Sequence, residues 1–364
     1  MTLHLFIALF WPFTWLFSPA EPYPEPLRTV RVDSSESLNR AIENAKRGDH
    51  IILKDGNYRD MKLSRLLGTK RHPIVFLAGN SRQAIVVGSH NGRNLSISNC
   101  AYIYIYGIRF TQAINWSVTI GPAYSGDNKY HGSQNIKLVD CEMDHAGQSL
   151  VRINGNSRKI EILKCYLHDS GQINQLNRPF AEGIYVGDGS KLKDRSNDIL
   201  IAGNRLDRIG NARQGGEAID IKCPTYDVRI IDNEISDVWV HSGGAINLLF
   251  DSVNYPKWKT NPEIEVIGNQ IDGVRHISKG YNAAGICVGS NGIIIKDNTV
   301  KNTQGPAFLS FANAANTRGK VRVFSNILYG EFAVSSYHHS ALKVAPKIDA
   351  QRNLIIDSKE LIYD

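Results

Sequence analysis

The sequence predicts an all-β chain: a right-handed parallel β-helix (solenoid) with an N-terminal capping helix. Three observations predict it. From Ile136 onward one short phrase returns as IKLVDCEM, IEILKCYL, ILIAGNRL, VRIIDNEI, IEVIGNQI, IIIKDNTV and VRVFSNIL, with IDAQRNLI as a frayed last copy. Its marker residues (Cys141, Cys165, Asn204, Asn233, Asn269, Asn298, Asn326 and Asn353) stand 24, 39, 29, 36, 29, 28 and 27 residues apart. A β phrase recurring at such a period, with inserts of variable length, is how a solenoid reads. Within each phrase apolar and polar residues alternate, a polar corner follows, and an apolar residue resumes, which spells strand, bend, strand.

Taken in order, the first twenty residues, MTLHLFIALFWPFTWLFSPA, are nearly all apolar and end on small residues, as a signal peptide does. Pro12 interrupts them, which argues against a stable spanning helix. Residues 21–26 form a Pro-rich linker and 27–364 read as a single β-helix domain. SSESLNRAIENAKRGD then predicts a helix capped by Ser37, with Leu38, Ala41, Ile42 and Ala45 as its apolar stripe and Gly48 as its stop. Such a helix covers the otherwise open end of the first coil. In the coils that follow, corner Asn residues are expected to stack as an amide ladder along the axis. Cys141 and Cys165 share that slot, as buried free thiols or as a disulfide between coils.

Composition excludes several classes. A 42% hydrophobic content in 364 residues rules out intrinsic disorder. The 42 Lys and Arg against 35 Asp and Glu give +7, but no basic cluster is interleaved with aromatics, so nucleic acid is not an expected partner. A cationic surface attracts an acidic polysaccharide equally well. Five cysteines without a CxxC pair support neither a disulfide scaffold nor a structural zinc. After the leader no segment is long and apolar enough for a membrane, and the expected protein is a secreted or periplasmic monomer.

Three runs carry a family resemblance: GDHIILKDGNYRD, GTKRHPIVFLAG and NLSISNCAYIYIYGIRF. They resemble the N-terminal coils of the chondroitinase B and alginate lyase family of polysaccharide lyases, over about residues 35–113. A shorter run, Gly216-Glu217-Ala218-Ile219-Asp220-Ile221-Lys222, resembles the family's segment in which a calcium-binding Glu precedes, by five residues, a Lys acting as Brønsted base. The resemblance implies Glu217 as a metal ligand and Lys222 as the base. Gly215 stands where the family has a first acidic residue, and Leu249 about where it has an Arg.

The exposed face can be read without the family. AEGIYVG, GEAIDIK, GGAINLL and AAGICVG align on their own alternation, with Ile184/Val186, Ile219/Ile221, Ile246/Leu248 and Ile286/Val288 turned inward. The outer face then carries Tyr185, Asp220, Asn247 and Cys287 at one level. Gly187, Lys222, Leu249 and Gly289 occupy the next, and SLVRING extends the face with Arg152 and Asn154. Glu182 and Glu217 share one slot, assigned to the bend before the strand. Two stacked carboxylates repel unless a cation joins them, and Ca2+ suits an all-oxygen set. His241 lies just before GGAINLL, while His145 and His168 occupy comparable bends and are expected to face solvent. Inserts over 171–198 and 251–263 flank the same face. The second holds Tyr255 and Trp258 beside Lys257 and Lys259, suited to stacking on uronic sugars and meeting their carboxylates.

These residues together predict a lyase that breaks an acidic, uronic-acid-containing polysaccharide by β-elimination. Lys222 is the expected base, with Tyr185, His241 or Arg152 as proton donor, Glu182 and Glu217 holding metal, and Asp220, Asn247, Asn154, Tyr255 and Trp258 binding substrate. A uronate C5-epimerase, a glycoside hydrolase working through two carboxylates, and a non-catalytic glycan-binding β-helix remain as alternatives.

Overall fold

The structure, a computed structural model, describes residues 23–88, 92–122, 132–172, 180–188, 194–249, 262–278, 283–311, 320–334, 348–356 and 361–363. Strands alternate among three sheets. Among the described residues two sheets have twelve strands each and the third has ten, and each strand pairs with the equivalent strand of the next coil. All of these pairings are parallel except the last, where Leu354–Ile356 meets Leu361–Tyr363 antiparallel. This is the predicted parallel β-helix.

The apolar alternation of the repeat phrase places its hydrophobic residues inside. Ile136, Leu138, Ile160, Ile162, Ile199, Ile201, Val228 and Ile230 are all buried, in one cluster of apolar side chains that runs from Val32 to Leu328. At the corner after each phrase the amides form the expected ladder. Asn204 Nδ2 donates to Asn233 Oδ1, and the same bond repeats from Asn233 to Asn269, Asn269 to Asn298, Asn298 to Asn326 and Asn326 to Asn353, each 2.9 Å long. The corner residue's own backbone N–H donates to the next Asn Oδ1 as well, so each side-chain oxygen accepts from a side-chain amide and from a backbone N–H that the bend leaves without a strand partner. Cys165 enters the ladder from below: its N–H donates to Asn204 Oδ1 at 2.9 Å. Cys100, Cys141, Cys165, Cys223 and Cys287 are buried free thiols.

The capping helix spans Ser35–Glu43 and buries Leu38, Ala41 and Ile42 against the first coil. Its cap is Ser34 rather than Ser37. Ser34 Oγ accepts the Ser37 N–H while Ser37 Oγ accepts the Ser34 N–H, so Ser37 is the far corner of a capping box. The helix also stops earlier than expected, at Asn44, which leaves Ala45 beyond its end and Gly48 in the following turn. The leader 1–20 lies outside the described residues. Of the linker, Tyr23 packs against the rings of His50 and Tyr106. No helix among the described residues is long and apolar enough to cross a membrane.

Candidate active site

The ten-stranded sheet carries the site. Its register places Arg152 beside Tyr185, Tyr185 beside Asp220, Asp220 beside Asn247 and Asn247 beside Cys287, on consecutive coils about 4.8 Å apart. A groove of about 580 Å³ runs over this row. Arg152, Tyr185, Asp220, Lys222 and His241 all line it, together with Glu182 and Glu217 from the bends that precede Ile184–Val186 and Ile219–Ile221.

The centre of the groove is a set of three carboxylates. One oxygen each of Glu182, Glu217 and Asp220 lies within 4.8 Å of the other two, and the three residues are 2%, 3% and 1% exposed. Asp220 therefore joins the pair expected from sequence. Each acid has a fixed partner: Ser149 Oγ donates to Glu182 at 2.6 Å, Ser242 N–H to Glu217 at 2.9 Å, and Asn247 Nδ2 to Asp220 at 3.1 Å. Lys222 Nζ completes the set, 2.9 Å from the Asp220 carboxylate.

Burial sets the electrostatics. It pushes the Glu217 carboxyl up to about 8, helped by the negative charge of Asp220 and opposed by Lys222. Burial and then Asp220 also raise Glu182. The Tyr185 hydroxyl is raised by burial, so it stays protonated across the physiological range. Burial lowers His241, as do the neighbouring His276 and Lys222. With all three acids ionised, a single ammonium would leave buried negative charge in excess, and the upward shifts of Glu217 and Glu182 reflect burial together with that repulsion. An all-oxygen set of this kind is the donor chemistry of a hard divalent cation, so the residues present fit calcium.

Gly215 and Gly216 explain why the carboxylates come from these positions. A Cβ on Gly215 would sit 2.6 Å from the His241 backbone nitrogen, and one on Gly216 would sit 2.2 Å from the Ala181 carbonyl carbon. Adjacent coils approach too closely there for any side chain. The acid that the family resemblance places at 215 has no room, and Glu182 and Asp220 supply the neighbouring carboxylates instead.

Several expectations are corrected. Leu249 does not face outward: the chain turns at its positive φ of 52° and its side chain joins the apolar core. Asn247 is fully buried beneath the groove floor, where it holds Asp220 rather than meeting substrate. Asn154 does not line the groove; it follows the strand Val151–Ile153 at the corner, where its carbonyl accepts from Ser157 Oγ at 2.7 Å. Cys287 is buried with Ala284 and Leu309, and burial raises its thiol. His168 is buried rather than solvent-facing, stacked on Tyr166 at 4.1 Å and paired to Asp169 at 2.6 Å. Tyr255 and Trp258, with Lys257 and Lys259, lie outside the described residues.

Sequence reasoning missed Trp116, Ser149, Phe180 and Ser242, all of which line the groove. A signal for two of them was present. NWSVTI and QSLVRI align with GEAIDI, which places Trp116 and Ser149 in the slot of Glu217.

With this geometry in place the comparisons become informative. Residues 32–177 match the family model of chondroitinase B. The recognition of a β-helix polysaccharide lyase segment agrees with that match, which reaches Trp116, Ser149 and Arg152 and ends before Glu182. No curated protein matches the chain. Among solved structures, an alginate lyase from Paenibacillus sp. str. FPU-7 superposes with a TM-score of 0.60 at 17% identity, over 90% of this chain and 99% of that one. Pectate lyase Pel9A superposes with a TM-score of 0.57 at 14% identity, over 91% and 80%. The tailspike protein of E. coli bacteriophage HK620, in complex with a pentasaccharide, gives 0.52 at 12% identity, over 85% and 55%. At such identities these likenesses establish the fold.

Proposed function

We propose that the chain is an exported, calcium-binding polysaccharide lyase that cleaves a uronic-acid-containing chain by β-elimination. The observation that carries this reading is the meeting in one groove of Lys222, Tyr185 and the Glu182–Glu217–Asp220 set. The chondroitinase B match supports the reaction class, and the lyase neighbours support a scaffold suited to it.

Each residue has a role in the elimination. Lys222, oriented by Asp220 and acting in its neutral amine form, takes the proton at C5 of the uronate and becomes the ammonium as the C4–O bond breaks and a C4–C5 double bond forms. Tyr185 stands beside it, with its ring centroid 5.7 Å from Lys222 Nζ, and its protonated hydroxyl donates to the leaving oxygen. Arg152 lies 5.4 Å from the centroid of the same ring and meets substrate carboxylate, while His241 closes the groove beside Phe180. Glu182, Glu217 and Asp220 would hold calcium, which supplies positive charge to neutralise the C5 carboxylate and acidify the proton. In this reading the leader directs a monomer to the periplasm or exterior, where neither nucleic acid nor membrane is its partner.

The test is incubation with alginate, pectate, chondroitin and heparin-type chains, with and without a chelator, while reading chain length and unsaturated-uronate absorbance together. The reading expects shorter chains and rising absorbance in parallel. One observation favours a second reading: a Glu217 protonated near neutrality beside other carboxylates is the pairing a retaining glycoside hydrolase uses. Chains shortened with no absorbance would support hydrolysis instead.

A further inference from the structure

The slot that holds Glu182 and Glu217 extends toward the N-terminus. Arg93, Trp116, Ser149, Glu182 and Glu217 each stand two residues ahead of Leu95, Val118, Val151, Ile184 and Ile219, and those five are register partners on successive coils. Along the axis the column changes from cation to ring to hydroxyl to two acids. Side-chain contacts tie its basic end to the site. The Arg93 guanidinium lies 5.1 Å from the Trp116 ring centroid. Arg152 lies 4.7 Å from the same ring and 5.4 Å from Tyr185, which Lys222 meets in turn. Cations and rings thus alternate over five rungs.

Two guanidiniums against one indole repel each other. Burial lowers the Arg93 pKa and the charge of Arg152 lowers it further. Among the described residues no carboxylate pairs with Arg93. A half-buried cation whose charged neighbour is another cation is complemented by an anion from outside the chain.

We propose that Arg93, Trp116 and Arg152 form a distal anion subsite that takes a carboxylate or sulfate of the same polysaccharide whose scissile unit lies at Lys222. The polysaccharide then runs along the solenoid axis, across the rungs. This rests on the reading of the groove as a site for an acidic polysaccharide. Four rung spacings, about 19 Å, separate the coil of Arg93 from that of Lys222, so only a chain of several sugars engages both ends.

The test compares the full chain with its Arg93→Gln and Trp116→Phe variants. On a long chain that the wild type cleaves, Arg93→Gln is expected to raise KM about five-fold with kcat within about two-fold, and to leave KM for the shortest cleaved oligosaccharide unchanged. Trp116→Phe, which keeps a ring that attracts cations more weakly, is expected to raise KM on the long chain in the same direction but by less than Arg93→Gln does. An unchanged KM on the long chain, an equal rise on short and long substrates, or a fall in kcat alone overturns the subsite. Binding is read independently of turnover, by migration through gels cast with alginate or chondroitin sulfate in a Lys222→Ala background. Arg93→Gln should weaken retardation, and the gel more affected tells carboxylate from sulfate. Equal retardation of the two proteins, or none in either gel, overturns the proposal. Arg93-dependent retardation without cleavage of any chain would instead keep the subsite and remove the lyase reading.

Discussion

Lys222 Nζ lies 2.9 Å from the Asp220 carboxylate, two residues earlier on the same edge of the groove, and Asn247 of the next coil holds the opposite Asp220 oxygen at 3.1 Å. The amine is therefore aimed by a buried acid that is itself fixed from below. Asp220→Asn removes the charge that orients Lys222 and takes one carboxylate from the metal set. Its kcat should fall about 100-fold, the scale of a misplaced general base. Steady-state kinetics alongside a melting curve checks this, because the fold should persist.

Glu217 gives the metal-free protein a pH dependence of definite sign. Its folded carboxyl titrates at about 8, above the ordinary value of 4.5, so between these pH values the folded state holds a proton that the unfolded state has released. Stability in chelator should decline as pH rises from 4.5 toward 8, the reverse of a salt-bridged carboxylate. Glu217→Gln, which cannot ionise, should flatten that decline in melting temperature. A wild-type protein that becomes more stable over the same range would contradict the burial argument.

Calcium should act against the same repulsion. A cation that binds the folded carboxylates and not the unfolded chain stabilises the fold by mass action, by about 2.7 kcal/mol at a hundred times its Kd, and so raises the melting temperature. The increase is expected at pH 8 in the wild type and should be largely lost in Glu182→Gln, Glu217→Gln and Asp220→Asn. Calorimetry with calcium alone measures it.

The asparagine ladder offers a stability test away from the groove. Asn269 is fully buried; its amide donates to Asn298 Oδ1 and to the Ile230 carbonyl, and its Oδ1 accepts from Asn233. Replacing it with Leu leaves buried donors and acceptors on two neighbouring coils without partners, at a cost of about 1–3 kcal/mol for each such group. The same change at Asn353, the last rung, breaks fewer such bonds and should cost less. Urea midpoints rank the two.

How far the sequence revealed this arrangement depends on what enforces each residue. The coils were legible because a core one side chain deep demands an apolar residue at every second position, and because the bend after each strand needs one amide. Ile199, Ile201 and Asn204 show both requirements within six residues. The groove row was legible for the same reason: once Ile219 and Ile221 face inward, Asp220 must face out, and the register brings it to Tyr185. The helix cap was misplaced because Ser34, Ser35 and Ser37 all suit a cap, and only the backbone decides among them. Leu249 misled because alternation was extended past the point where a left-handed residue turns the chain inward. Arg93 and Trp116 lie on the two coils before SLVRING, the first segment aligned on this face, so their strands, Leu95–Ser98 and Val118–Ile120, fall outside that alignment although the register continues into them.

The most direct measurement is the unsaturated-uronate absorbance released from the best substrate of the alginate, pectate, chondroitin and heparin panel by wild type and by Lys222→Ala at equal concentration. The account predicts a steady rise with wild type and a loss of at least about 100-fold with the variant, while circular dichroism shows the β-helix intact. Full absorbance from Lys222→Ala would contradict the assignment of Lys222 as the group that takes the proton.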